Sequence, residues 1–174
     1  MRIDLEPSTD AESYPFSHRI RVRFAETDAM GIVHHSRYLP YLEEARVAYL
    51  RHIGHPYSEW RENGLDSAVL EAYVRYLRPL RFDDEIDVHL SLAKATRTTF
   101  LMAYLVTLDG VAAATAVTAH GMVNAEGRPT RLAPWLVEMA ASSPPSPTPD
   151  ITRPRSSARS SPPTPRRRPP GAGR

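Results

Sequence analysis

The sequence has no cysteine in its 174 residues. Disulfide bonds, thiolate nucleophiles and cysteine-ligated metals are therefore excluded, and a cytoplasmic location is expected. Long apolar runs are absent too, because the stretch 111–119, rich in small apolar residues, is interrupted by Thr115 and Thr118. A membrane-spanning helix needs about 20 apolar residues. Residues 1–7 also lack the apolar segment of a secretory signal, so we expect neither membrane insertion nor export.

Three motifs that identify large enzyme classes are missing as well. The chain has no glycine-rich dinucleotide fingerprint, no phosphate-binding loop and no serine-hydrolase elbow. One group of possible metal ligands exists, Asp28 with His34 and His35. Adjacent histidines rarely converge on one ion, and no further ligand follows at a recognisable spacing. We therefore expect no metal site.

The C-terminal segment 142–174 differs from the rest of the chain. It holds ten prolines, seven serines, seven arginines and one aspartate, a net charge of +6. Such a segment cannot bury enough apolar surface to offset its ordering entropy, so it is predicted to be disordered. No aromatic residue interleaves the arginines, so no stacking platform for nucleic acid is predicted. The other residues have a net charge of −4, and no nucleic-acid partner is expected.

Residues 1–15 are polar and are predicted to be a loose leader, followed by one domain over 16–141. Alternating apolar residues predict a first strand over about 17–25, with Ile20, Val22 and Phe24 facing inwards. A long buried helix is predicted over 37–53 and a short one over 133–141. Further strands are predicted near 70–76, 86–92, 98–108 and 111–124, and Asp109-Gly110 is typical of a two-residue hairpin turn. This order predicts an α+β fold, in which a curved antiparallel sheet of about five strands wraps round one long helix.

The segment 21–38 (RVRFAETDAMGIVHHSRY) is the most informative part of the chain. It is predicted to form a strand, a tight turn at Asp28 and Gly31, and the entry to the long helix. The first N–H groups of a helix have no internal partner and favour negative charge. A carbonyl substrate would therefore find a carboxylate (Asp28), an imidazole (His35) and free N–H donors together. Asp28 as a simple turn former and His35 as a polar loop residue stay open as alternatives.

The segment 23–46 (RFAETDAMGIVHHSRYLPYLEEAR) resembles the signature of the hotdog-fold acyl-CoA thioesterases of the 4-hydroxybenzoyl-CoA thioesterase type. The resemblance continues through 76–86 (YLRPLRFDDEI), 96–100 (TRTTF) and 127–132 (GRPTRL). It implies a hotdog fold and hydrolysis of acyl-CoA thioesters with water as co-substrate and without a cofactor. It also implies a homodimer or homotetramer with the active site at the subunit boundary.

The resemblance assigns roles to individual residues. In this family the aspartate that matches Asp28 attacks the thioester or activates water, and a backbone N–H near His35 holds the thioester oxygen. A histidine seven residues after the aspartate assists catalysis in one bacterial branch, and His35 has that spacing. The other expected substrate-binding residues are Gly31, Val33, Tyr38 and Tyr76 and, for the nucleotide of coenzyme A, Arg97, Thr98, Thr99 and Arg128.

Several readings stay open at this point. Tyr76, Leu77 and Pro79 could line the acyl pocket or a subunit contact, and core packing explains them equally well. An ordinary strand start explains residues 96–99 as well as a substrate contact does. The substrate is predicted to be an acyl-CoA, with an acyl group on an acyl carrier protein as one alternative. A hotdog module that binds acyl-CoA without turnover is another, which an intact Asp28 disfavours. The sequence does not predict the length or aromatic character of the acyl group.

Overall fold

The structure, a computed structural model, describes residues 3–142. Apart from Ser142, the predicted disordered tail lies outside the described residues. Five strands run β1 Phe16–Arg21, β2 Leu65–Tyr76, β3 Glu85–Ala95, β4 Thr99–Leu108 and β5 Val111–Asn124. Three α-helices run α1 Tyr38–His52, α2 Tyr57–Glu62 and α3 Pro134–Ser142, and short 3-10 turns form at Ala11–Ser13, Phe24–Glu26 and His35–Arg37.

All five strands form one antiparallel sheet in the order β1-β3-β4-β5-β2. The central strand is β4, which is buried on both faces along almost its whole length, as its apolar sequence predicts. The β4–β5 connection is the predicted two-residue turn, because Asp109 and Gly110 have φ values of 51° and 74°. The predicted α+β architecture is therefore confirmed.

The long helix α1 packs one face against the inner face of the sheet. Gly54, with φ of 80°, follows its end as predicted, and Pro40 lies in its first turn, where a missing N–H costs little. None of the helices within residues 3–142 is long and apolar enough to cross a membrane. The helix residues buried in this core are Tyr38, Tyr41, Leu42, Ala45, Arg46, Tyr49 and Leu50.

Two strand predictions need correction. The first strand ends at Arg21, not near residue 25, because the chain turns into the 3-10 segment Phe24–Glu26. Phe24 therefore leaves the strand alternation and is 74% exposed, in edge contact with the ring of Phe82. The second strand begins earlier than predicted, at Leu65, and most of its side chains are exposed or half-buried because β2 is an edge strand.

The N-terminal segment 3–15 is packed, which differs from the loose leader expected. The hydroxyl of Tyr14 donates to the carbonyl of Ser8 at 2.7 Å, and Glu6 pairs with Arg75 of β2 at 3.3 Å. Two apolar side chains, Ile3 and Leu5, contact a cluster on the outer face of the sheet formed by Leu101, Val117 and Ala119. The segment therefore covers part of the face opposite α1.

Candidate active site

A short closed loop holds the carboxylate of Asp28. Thr27 and Val33 form an isolated antiparallel bridge, and inside it the Asp28 N–H donates to the Ile32 carbonyl at 2.9 Å. The Gly31 N–H donates back to the Asp28 carbonyl at 2.9 Å, with Gly31 at φ of 72°, a conformation that favours glycine. Asp28 Oδ1 accepts from the Met30 N–H at 2.8 Å. Asp28 thus shapes its own turn and remains half-buried.

The entry to α1 follows this loop directly. The His34 ring caps the 3-10 turn, because its Nδ1 lies 2.8 Å from Ser36 Oγ and accepts from the Ser36 N–H at 3.3 Å. The ring of His35 stacks at an angle on that of His34, with centroids 4.0 Å apart. Within residues 3–142, the backbone N–H of His35 donates no hydrogen bond. It is therefore a free donor at the start of a helical segment.

One pocket of about 390 Å³ lies at this junction. The hydroxyl of Tyr76, at the end of β2, donates to the His35 carbonyl at 3.1 Å, and the Tyr38 and Tyr76 rings meet edge to face at 4.8 Å. Burial raises the pKa of Tyr38 to about 12, so it stays a neutral phenol near neutral pH. The pocket is lined by Asp28, Met30, Ile32, Val33, His35, Tyr38, Tyr76, Leu77, Arg78 and Pro79.

A second carboxylate, Glu26, lies behind the loop and is 6% exposed. Burial by itself would raise the pKa of Glu26, but hydrogen bonds from Tyr41 and Arg23 outweigh it and leave the pKa lowered, so the group stays ionised. Burial, and the hydrogen bond to Glu26, raise the pKa of Tyr41. Sequence reasoning did not single out Glu26. Its position two residues before Asp28 was the available signal.

The predicted site residues separate into two groups. Asp28, Val33, His35, Tyr38 and Tyr76 line the pocket, and Gly31 belongs to the same loop. The residues expected at the nucleotide lie elsewhere, because Tyr76 pairs with Ala114 of β5 whereas Thr99 pairs with Gly121, seven residues further along. That separation corresponds to about 23 Å of strand. Arg97, Thr98, Thr99 and Arg128 are therefore at the opposite end of the sheet from Asp28.

Three lining residues had no predicted role: Met30, Ile32 and Arg78. All three fall inside segments of the family resemblance, so the signal was present without an assignment. Arg78 is the most informative, since it carries the one guanidinium group among the pocket-lining residues of the described chain. Its backbone N–H donates to the Ala113 carbonyl at 3.0 Å, which fixes the segment that carries it beside β5.

The fold and this pocket define a class of protein: a hotdog fold with a carboxylate loop next to a free helix-entry N–H. Residues 22–150 match the sequence model of the thioesterase-like superfamily. The chain belongs to the thioesterase-like superfamily, and the predicted family resemblance is confirmed.

Individual relatives agree with this membership. A crystal structure of a hypothetical protein from Aquifex aeolicus is 45% identical, with a TM-score of 0.69, over 72% of this chain and 99% of that one. A thioesterase from Thermus thermophilus, complexed with coenzyme A and Zn, is 31% identical, with a TM-score of 0.64, over 73% and 98%. The acyl-CoA thioesterase YbgC of Haemophilus influenzae is 32% identical over 87 residues, 49% of this chain and 64% of that protein.

Proposed function

We propose that this enzyme hydrolyses acyl-CoA thioesters to a free acid and coenzyme A, with Asp28 as general base or nucleophile. One observation carries the proposal: the Asp28 carboxylate and His35, whose N–H has no partner within residues 3–142, line the same pocket. Relatives named as acyl-CoA thioesterases, and a neighbour complexed with coenzyme A, support this choice of substrate.

The chemistry needs a group that attacks or activates water and a donor for the oxyanion. Asp28 either takes a proton from a water that attacks the thioester carbonyl, or attacks that carbonyl itself to form a mixed anhydride that water then hydrolyses to the free acid. The oxygen of the tetrahedral intermediate accepts a hydrogen bond from the His35 N–H, where the helix entry favours negative charge. The carbon–sulfur bond then breaks, and the coenzyme A thiolate leaves and takes up a proton. The His35 imidazole is suited to move that proton.

The rest of the pocket suits the two ends of the substrate. Met30, Ile32, Val33, Leu77 and Pro79 form apolar walls for the acyl group, and the Tyr38 and Tyr76 rings close one side. Arg78 is a candidate contact for the phosphates of coenzyme A, because a guanidinium offers a fork of donors to phosphate oxygens.

A second copy of the chain completes the proposed site. The edge strand β2 exposes its backbone and the apolar side chains Val69, Leu70, Tyr73 and Tyr76, each about half exposed. Such an edge favours pairing with another strand. The other edge, β1, has six residues and exposes the charged side chains of Arg19 and Arg21. We therefore infer a two-fold dimer through antiparallel β2 strands.

Antiparallel pairing would also bring the two groups of predicted residues together. It sets the Tyr76 end of one β2 beside the Leu65 end of the other copy. The Leu65 end lies on the same side of the sheet as Thr99 and Arg128, since Leu65 pairs with Asn124 and the Asn124 N–H donates to the Arg128 carbonyl. Arg97, Thr98, Thr99 and Arg128 of a second copy would thus approach the pocket of the first.

The test is turnover of a panel of acyl-CoA thioesters of varied length and aromatic character. Turnover is measured by the release of the free thiol of coenzyme A. Asp28→Asn is expected to lower kcat by about 10²–10⁴ with the best substrate while the protein stays folded. Asp109→Asn is the matched control, because it makes the same change in a turn remote from the pocket. Near wild-type kcat in Asp28→Asn would contradict the assignment of Asp28 as general base or nucleophile.

The same assay separates the alternatives. Turnover of the acyl group on an acyl carrier protein, with none on coenzyme A, would move the substrate class to carrier-protein thioesters. Tight binding of acyl-CoA without turnover would indicate a binding module.

The cytoplasmic location stays a prediction.

A further inference from the structure

The buried carboxylate Glu26 links the two sides of the Asp28 loop. Its backbone carbonyl accepts from the His34 N–H at 2.9 Å, next to the proposed oxyanion donor. Its carboxylate accepts from the Tyr41 hydroxyl of α1 at 2.6 Å. One residue therefore contacts the strand side of the loop, the helix entry and the body of the helix.

Arg23 completes the surroundings of this carboxylate. The Arg23 backbone N–H donates to Glu26 Oε2 at 2.8 Å, and its Nε donates to Oε1 at 2.9 Å. Both carboxylate oxygens are therefore hydrogen-bonded although the group is 6% exposed. Burying a charged group is costly, and an apolar pair of the same shape would often be as stable. Stability alone therefore does not account for this arrangement of Glu26, Arg23 and Tyr41.

We propose that Glu26 and Tyr41 form a positioning pair that fixes Asp28 relative to the His35 N–H. The inference rests on the proposed function, in which the attacking group and the oxyanion donor lie on opposite sides of the loop. Displacement of either by about 1 Å is enough to lower the rate about 100-fold. The bridge between Thr27 and Val33 closes the loop, and the Glu26–Tyr41 hydrogen bond ties its base to α1. Neither side chain is among the pocket-lining residues.

The test is the steady-state kinetics of Tyr41→Phe, which removes one hydroxyl and keeps the ring in the core. We expect kcat to fall about 10- to 100-fold, with KM for the acyl-CoA changed by less than about twofold. Glu26→Gln is expected to give the same pattern. If the two side chains act through one hydrogen bond, kcat of the double variant is expected to be no lower than kcat of Glu26→Gln alone. All assays run well below each variant's thermal midpoint.

Tyr49→Phe is the matched control on the same helix. Its side chain is also buried, and its hydroxyl donates to the sulfur of Met139 at 3.3 Å, away from the loop, so kcat is expected to stay at the wild-type value. Wild-type kcat in Tyr41→Phe, an equal loss in Tyr49→Phe, or independent effects in the double variant would each overturn the positioning pair. Wild-type activity in Asp28→Asn would instead show that the proposed function has failed.

Discussion

Individual residues of the Thr27–Val33 loop contribute through different atoms. Asp28 contributes a carboxylate whose Oδ1 is already held by the Met30 N–H. Gly31 contributes its left-handed backbone conformation, and His35, just after the loop, contributes both a free N–H and an imidazole. Substitution of a side chain leaves the backbone donors in place, so side-chain and backbone roles can be measured separately.

We predict that His35→Ala lowers kcat about 10- to 100-fold, roughly the lower range of the contribution of a positioned acid or base. His34→Ala is the neighbouring control. It removes the ring that accepts from the Ser36 N–H, so we expect a stability loss of about 1 kcal/mol, as for a lost helix cap, with kcat unchanged. Steady-state kinetics and urea unfolding of both variants make the comparison. Small, equal effects on kcat would leave the backbone N–H as the sole contribution of His35.

A buried histidine remote from the pocket predicts a pH-dependent stability. Burial, with repulsion from Arg46, lowers the pKa of His120 from 6.5 to about 3. The folded chain keeps His120 neutral, while the unfolded chain binds a proton below about pH 6.5. Stability from this group is therefore present above pH 6.5 and is lost as the pH falls towards 3. The expected loss between about pH 7.5 and pH 5 is about 2 kcal/mol.

Urea unfolding of His120→Gln against wild type at several pH values checks this prediction. The variant is expected to be less stable near neutral pH, since it changes a fully buried ring stacked on Phe100, but its stability should fall less on acidification. His89→Gln is the comparison, because burial also lowers the pKa of His89 although that ring is half-buried. If the stability of His120→Gln depended on pH as steeply as that of the wild type, the prediction would be contradicted.

Among the elements, the edge strand β2 has the largest consequence for assembly. We predict that Val69→Lys converts the proposed dimer to monomers and lowers kcat/KM. Val69 is 56% exposed near the middle of β2, so in a two-fold pair the two lysines would lie near the two-fold axis and repel. Sedimentation or light scattering measures the mass. Ser17→Lys, at the other edge of the sheet, is the control and is expected to leave mass and activity unchanged. A Val69→Lys variant that keeps wild-type mass would exclude pairing through β2.

The elements also show which features a sequence can predict. Asp28 and His35 can be placed together from the sequence because their relation is local, through one turn and one helix entry. The β4–β5 hairpin is equally local, set by Asp109 and Gly110. The separation of Arg128 from Asp28 depends instead on the register of β5 against its neighbours, and no local pattern encodes that register. Exposure of β2 was missed for the same reason, since alternation does not distinguish an edge strand from an inner one.

For the whole molecule, the N-terminal segment decides which face of the sheet is available. Its apolar content within the described chain is small, mainly Ile3 and Leu5, and two alternating apolar residues are too short a pattern to predict its docking. The structure nevertheless has both side chains against Leu101, Val117 and Ala119 on the outer face. With that face covered, a dimer through β2 has no open sheet surface at these residues on which a second dimer could pack.

We therefore predict that Ile3→Ser/Leu5→Ser lowers the thermal midpoint and raises the oligomeric mass above that of a dimer. Loss of two partly buried apolar side chains costs about 2–4 kcal/mol, which corresponds to roughly 5–15 °C for a domain of this size. The uncovered apolar patch then favours association between sheets. Asp4→Ser/Glu6→Ser alters the alternate, exposed positions of the same segment. Among the described residues it removes only the solvent-exposed Glu6–Arg75 ion pair, worth less than about 1 kcal/mol. Calorimetry and light scattering on the two variants decide the question: equal midpoints and equal masses would show that the segment does not protect the sheet.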